Sequence, residues 1–132
     1  MNIYSEFIHK FNNKIESLCA EFVNDSDSEL KEMYSYAVMS GRKYRPMLVL
    51  TGKLIGDANF DDITLRLALA VELIHKYSLI LDDSVDNDPL RRGVETYYQK
   101  YGRNNAQAMS AYLVNLLYKE LHMISTLCHD DQ

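Results

Sequence analysis

Four aspartates, Asp82, Asp83, Asp86 and Asp88, fall within seven positions of a 132-residue chain. On a helix, Asp82 and Asp86 stand at i and i+4, on one face and close enough to share a cation. Stacked carboxylates with no counter-charge between them repel each other, and a hard cation removes that cost. Mg²⁺ suits such a pair, because it takes one or two carboxylates and completes its octahedron with waters and substrate phosphate oxygens. The plain alternative is a solvated acidic helix end. Against it stands the macrodipole, since negative charge at a helix C-terminus is unfavourable. An EF-hand reading fails, because neither Asp25-x-Asp27 nor Asp86-x-Asp88 is followed by the required Gly.

The positive charge sits in two short clusters, Arg42-Lys43-x-Arg45 and Arg91-Arg92. Guanidinium forks grip phosphate oxygens bidentately; Arg91 and Arg92 could equally be surface residues or ion-pair partners of the aspartates. Arg42, Lys43 and Arg45 lie in a loop begun by Gly41, just before a helix start. Backbone N–H groups and the helix dipole there favour an anion, and three cations add to that. His75 precedes Asp82 by seven residues within an apolar stretch. Taken alone, it reads as a packed, hydrogen-bonded histidine.

These residues need elements to hold them. Ile3, Phe7, Phe11, Ile15, Leu18 and Phe22 recur at steps of four and three, one apolar stripe of an amphipathic helix. Ser26 and Glu29 have capping-box spacing and predict a second helix running to about Met39. Ser40-Gly41 breaks it, Pro46 suits the first turn of a third helix, and Gly56 is placed to end that one. The strongest helix carries Ile63, Leu67, Ala70, Val71, Ile74 and Ser78 on one predicted face and leads into Asp82. Pro89 and Gly93 interrupt the chain, and a last helix is predicted over 105–127 with Ala108, Tyr112, Leu116 and Leu117 as its apolar positions. No segment alternates with period two. The expected fold is all-α, one helical bundle domain over residues 1–132.

Composition agrees. At 47% apolar and 25% charged residues the chain is globular rather than disordered, and 5 Gly with 2 Pro favour long helices. A net charge of −5 argues against nucleic acid. Glu72, His75 and Lys76 interrupt the most apolar stretch, so no membrane span is expected. The polar N-terminus does not read as a signal peptide. Two distant cysteines, Cys19 and Cys128, form neither a disulfide framework nor a metal-ligand spacing, and a reducing cytoplasm is the expected location.

The order Gly-Arg-Lys-Tyr-Arg-Pro (41–46), Glu-Leu-Ile-His-Lys-Tyr-Ser-Leu-Ile-Leu-Asp-Asp-Ser-Val-Asp (72–86) and Pro-Leu-Arg-Arg-Gly (89–93) resembles the trans-isoprenyl diphosphate synthase (polyprenyl synthetase) family, over roughly Tyr34 to Tyr118. The resemblance implies the N-terminal part of the isoprenoid synthase fold. It also implies a prenyltransferase that condenses an allylic diphosphate with isopentenyl diphosphate to a short linear product. Asp82, Asp83 and Asp86 match the first aspartate-rich motif, with Asp82 and Asp86 binding Mg²⁺. Arg91 matches an allylic-diphosphate ligand, and Arg42, Arg45, His75 and Arg92 match positions that hold isopentenyl diphosphate. Tyr77, five residues before Asp82, matches a position where an aromatic ring limits product length. The chain departs from the family at Ser40, Arg42, Leu81, Glu95, Tyr98 and Ser110-Ala111. The family's second aspartate-rich motif has no counterpart in context, since Asp130-Asp131 lacks it. The expectation is therefore a fragment, a shortened form or a subunit with little activity alone. It would work as a homodimer or as a hetero-oligomer with a chain supplying the second motif. The alternative is a non-catalytic, diphosphate-binding subunit.

Overall fold

A computed structural model describes residues 2–23 and 27–130, with Phe22 and Asp130 described in their backbone only. Among them the order is α1 (Ile3–Phe22), α2 (Ser28–Val38), α3 (Tyr44–Gly56), α4 (Asp62–Asp86), β1 (Leu90–Arg91), β2 (Val94–Glu95), α5 (Tyr97–Tyr101) and α6 (Arg103–Asp130). The all-α expectation holds. A two-residue hairpin and the one-turn α5 are additions that their length hides from any periodicity.

The stripe read on α1 is the buried one: Phe7, Phe11, Ile15 and Leu18 all enter the core. Each such side chain contributes about 2 kcal/mol by leaving water. The Ser26 half of the expected capping box lies outside the described residues; α2 begins instead on Asp27, whose carboxylate accepts the Leu30 N–H at 3.1 Å. Pro46 falls in the first turn of α3, and Gly56 closes it.

α4 is the central helix. It packs most extensively along α6, then against α3, and also touches α1, α2 and α5. A capping box starts it: Asp61 accepts the Thr64 N–H at 2.7 Å, and the Thr64 hydroxyl oxygen accepts the Asp61 N–H. Its buried face is Leu65, Ala68, Leu69, Leu73 and Ile80, together with Glu72, Lys76, Asp83 and Ser84. The predicted face is thereby corrected, since Leu67 and Ile74 are 43% and 51% exposed. The helix is apolar around most of its circumference, so spacing alone does not say which side turns inward. On α6 the inward residues are Ala106, Met109, Leu113, Leu116 and Glu120. Of the predicted set Leu116 is buried, Tyr112 and Leu117 are partly so, and Ala108 is exposed. No described helix is long and apolar enough to cross a membrane.

Candidate active site

The acidic cluster occupies the last turn of α4, as helical spacing requires. Asn87 caps it in the left-handed conformation (φ 60°), and the N–H groups of Asn87 and Asp88 both close on Asp83 O. Three carboxylates therefore crowd the negative end of a 25-residue helix. Two arginines answer that charge from different elements. Arg91, on β1, donates from Nε to both Asp83 oxygens (3.0 and 3.1 Å) and from Nη2 to Oδ1 at 2.5 Å. Arg103, the first residue of α6, donates from Nη1 to the Ser84 carbonyl and from Nη2 to Asn87 Oδ1 at 2.6 Å. Cations at the C-terminal carbonyls are the favourable partners of a helix dipole.

This division of labour separates the three aspartates. Asp83 is buried and committed to Arg91. Asp82 and Asp86 are exposed, four residues apart on one helix face, and neither side chain makes a hydrogen bond among the described residues. Two unpartnered carboxylates on one face suit Mg²⁺, which draws its remaining oxygens from water and phosphate. Among the described residues no three His, Cys, Asp or Glu side chains form a closed metal cage.

Three cations, Arg45, Lys76 and Arg91, lie close enough to His75 to act on its charge. Burial lowers its pKa first; Arg45, Lys76 and Arg91 nearby lower it further, against the pull of Glu72. Arg91 in turn is held in its charged form by Asp83, with Asp88 and Asp82 adding to that. It is thus the link between the acidic end and the basic set. Arg45 is exposed in the first turn of α3, and no side chain caps that helix start, so the N–H groups of Tyr44 and Arg45, though not Pro46, remain available to an anion. Arg42 is exposed and donates to the Tyr44 hydroxyl at 2.8 Å. Arg92 (φ 53°) and Gly93 (φ 79°) form the two-residue turn of the hairpin. Both central residues of a type I′ turn need positive φ, which explains the Gly. Arg92 is thereby exposed at the tip.

Lys43 does not join this set. It turns inward, donating to Val38 O at 2.7 Å and reaching Glu72 Oε1 at 3.3 Å. The expected three-cation loop is a two-cation one. Tyr77 is half-buried and packed against the core. Five residues place it about 140° around the helix from Asp82. The residues that line up most nearly beneath Asp82 are His75, Val71 and Ser78, with Leu67 and Ile74 to one side of that line. Glu72, Lys76 and Arg103 are parts of the site that sequence reasoning missed. Their signals were present: a charged i, i+4 pair inside the most apolar helix, and an arginine opening a helix against its own dipole.

The polyprenyl synthetase family model matches residues 27–131. The chain is similar to farnesyl diphosphate synthase of Geobacillus stearothermophilus, 33% identical over 74% of this chain and 34% of that one. It is also similar to the large subunit 2 of a heterodimeric geranylgeranyl pyrophosphate synthase of Arabidopsis thaliana, 35% identical over 70% of this chain and 25% of that one. In structure it resembles heptaprenyl diphosphate synthase of Staphylococcus aureus, with TM-score 0.76 and 26% identity, covering 92% of this chain and 37% of that one. The chain thus spans about a third of the length of the relatives it matches. A family match over most of its length, on a fold that gathers the acidic motif and its arginine at the C-terminal end of α4, is decisive: this chain belongs to the polyprenyl synthetase family.

Proposed function

We propose that these residues are the first half of a Mg²⁺-dependent prenyltransferase site that joins an allylic diphosphate to isopentenyl diphosphate. The observation that carries it is the pair Asp82 and Asp86: exposed, free of hydrogen bonds among the described residues and on one face of α4, beside an arginine fixed by Asp83. Asp82 and Asp86 would hold the ion, and Mg²⁺ bound there would supply charge neutralisation of the departing diphosphate. Asp83 fixes Arg91, whose remaining N–H groups are then oriented for allylic phosphate oxygens. Arg42, Arg45, His75 and Arg92 with the open N-terminus of α3 form the basic set for isopentenyl diphosphate. In the reaction the allylic C–O bond breaks, a C–C bond forms to the isopentenyl double bond, and a proton leaves. Both cysteines are unpaired, which supports a reducing, cytoplasmic setting.

Calorimetry with an allylic diphosphate, with and without Mg²⁺, tests the assignment. Binding should strengthen with the metal, and Asp82→Ala should abolish that gain. Equal binding without metal, or an unchanged Asp82→Ala variant, sinks it.

A second reading has its own support. The similarity to a subunit of a heterodimeric synthase favours a chain that binds diphosphate and needs a partner for turnover. Condensation that appears only when a chain carrying a second aspartate-rich motif is added distinguishes this from a self-sufficient homodimer.

A further inference from the structure

Three charged side chains meet behind the basic loop, two of them buried and Lys43, from the loop itself, half-buried. Glu72 is 3% exposed and Lys76 is 8% exposed. A single oxygen, Glu72 Oε1, lies 3.3 Å from Lys43 Nζ and 3.7 Å from Lys76 Nζ. Two cations share one anion, and burial lowers the pKa of both lysines. As a source of stability this is a poor arrangement, because a buried excess charge is costly and apolar replacements are often neutral or better.

What the cluster does accomplish is geometric. Lys43 donates to Val38 O at 2.7 Å and to Ser40 O at 3.3 Å; Lys76 donates to Ser40 O at 2.6 Å. These carbonyls end α2, at the negative pole of its dipole. Lys43 acts from within the loop. Lys76 acts from α4, the helix that carries His75 and the aspartates. Gly41 (φ +85°) passes so close that a Cβ there would meet Lys76 Nζ at 3.4 Å. Arg42 follows immediately, and Arg45 stands in the first turn of α3 three residues later.

We propose that Lys76 is a positioning residue for diphosphate binding: by holding the Ser40 carbonyl it sets where Arg42 and Arg45 stand relative to His75. The inference rests on the reading of that loop as a diphosphate site. It predicts a split between affinity and stability. In Lys76→Met the stem is kept and the Lys43–Glu72 pair becomes balanced, so the fold is not weakened; the loop keeps that pair and loses the bond from α4 to the Ser40 carbonyl.

The test uses the 132-residue chain and inorganic pyrophosphate without metal, comparing wild type, Arg45→Ala and Lys76→Met. Lys76→Met should bind about tenfold more weakly, melt at or above the wild-type midpoint, and show increased amide mobility over Gly41–Lys43 in NMR relaxation. Weaker binding with unmoved amides would reduce Lys76 to a distant charge and overturn the proposal. A midpoint that falls in step with affinity, or a variant that does not fold, makes it an ordinary structural cation and also overturns it. Arg45→Ala separates the two levels. If it leaves pyrophosphate binding unchanged, the loop is not the site and the parent reading fails. If it weakens binding while Lys76→Met does not, only the positioning role fails.

Discussion

At the scale of single residues the site depends on which charges are satisfied within the chain and which are left over. Asp83 and Lys43 are satisfied, by Arg91 and by Glu72 with the α2 carbonyls. Asp82, Asp86, Arg42 and Arg45 face outward. Types and spacing alone do not make that distinction, since Asp82 and Asp83 are identical letters one helix step apart. His75 offers a direct measurement. Its depressed pKa means that folding favours the neutral ring. It therefore contributes stability above the ordinary histidine value of about 6.5, and that contribution is lost as pH falls through the lowered folded value. A bound anion reverses the balance, because it favours the imidazolium. We expect the His75 ring to titrate below the ordinary value in NMR, and to move upward when inorganic pyrophosphate is added. A value unmoved by saturating pyrophosphate contradicts an anion beside His75.

At the scale of elements, α4 is the part that sets dimensions. Its last turn carries the carboxylates, and below Asp82 its outward face carries His75 and, to one side of it, Ser78, Ile74, Val71 and Leu67, a mainly apolar track with one hydroxyl. An isoprenoid tail growing away from the metal end would run along that track. Tyr77 lies about 7.5 Å down the axis from Asp82, at the border between the track and the core. We expect it to limit products to farnesyl or geranylgeranyl size. Tyr77→Ala in a complete, active enzyme should lengthen the products. It should also cost about 2 kcal/mol, roughly half the penalty for a fully buried aromatic ring. Chromatography of products and a denaturant titration read these separately. An unchanged distribution from a folded variant leaves Tyr77 as a core aromatic only.

At the scale of the whole molecule, the helices do not close on themselves. Leu67, Ile74 and Val85 on α4 are 43%, 51% and 73% exposed, and Leu48 and Ile55 on α3 are 70% and 86% exposed. Apolar faces of this kind mark interfaces or aggregation. Relatives are more than twice as long, so further helices, in one chain or in a partner, are the natural cover under the proposed function. The 132-residue chain by itself is expected to self-associate in light scattering, and Ile74→Glu should shift it toward monomer. A monomeric wild type at high concentration contradicts this.

Helix existence and order were legible because capping residues, breakers and apolar spacing act locally. α1 is read to its ends, and α4 arrives at Asp82 as predicted. The acidic and basic motifs were legible too, since their spacing on one helix and in one loop needs no tertiary information. The inward face of α4 was not. A helix with apolar residues around most of its circumference buries whichever side its neighbours offer, and α6 and α3 decided it. Ion pairs between Arg91 or Arg92 and the aspartates were one open reading, but not that Arg91 would take Asp83, that Lys43 would join Lys76 on Glu72, or that Arg103 would meet the end of α4. A charge's partner is whatever the fold brings within about 4 Å, and several of these partners lie far off in sequence. The sequence determined which residues could do chemistry; the tertiary structure decided which remain free to do it, because an ion pair made inside the fold removes both members from the set that can meet a ligand.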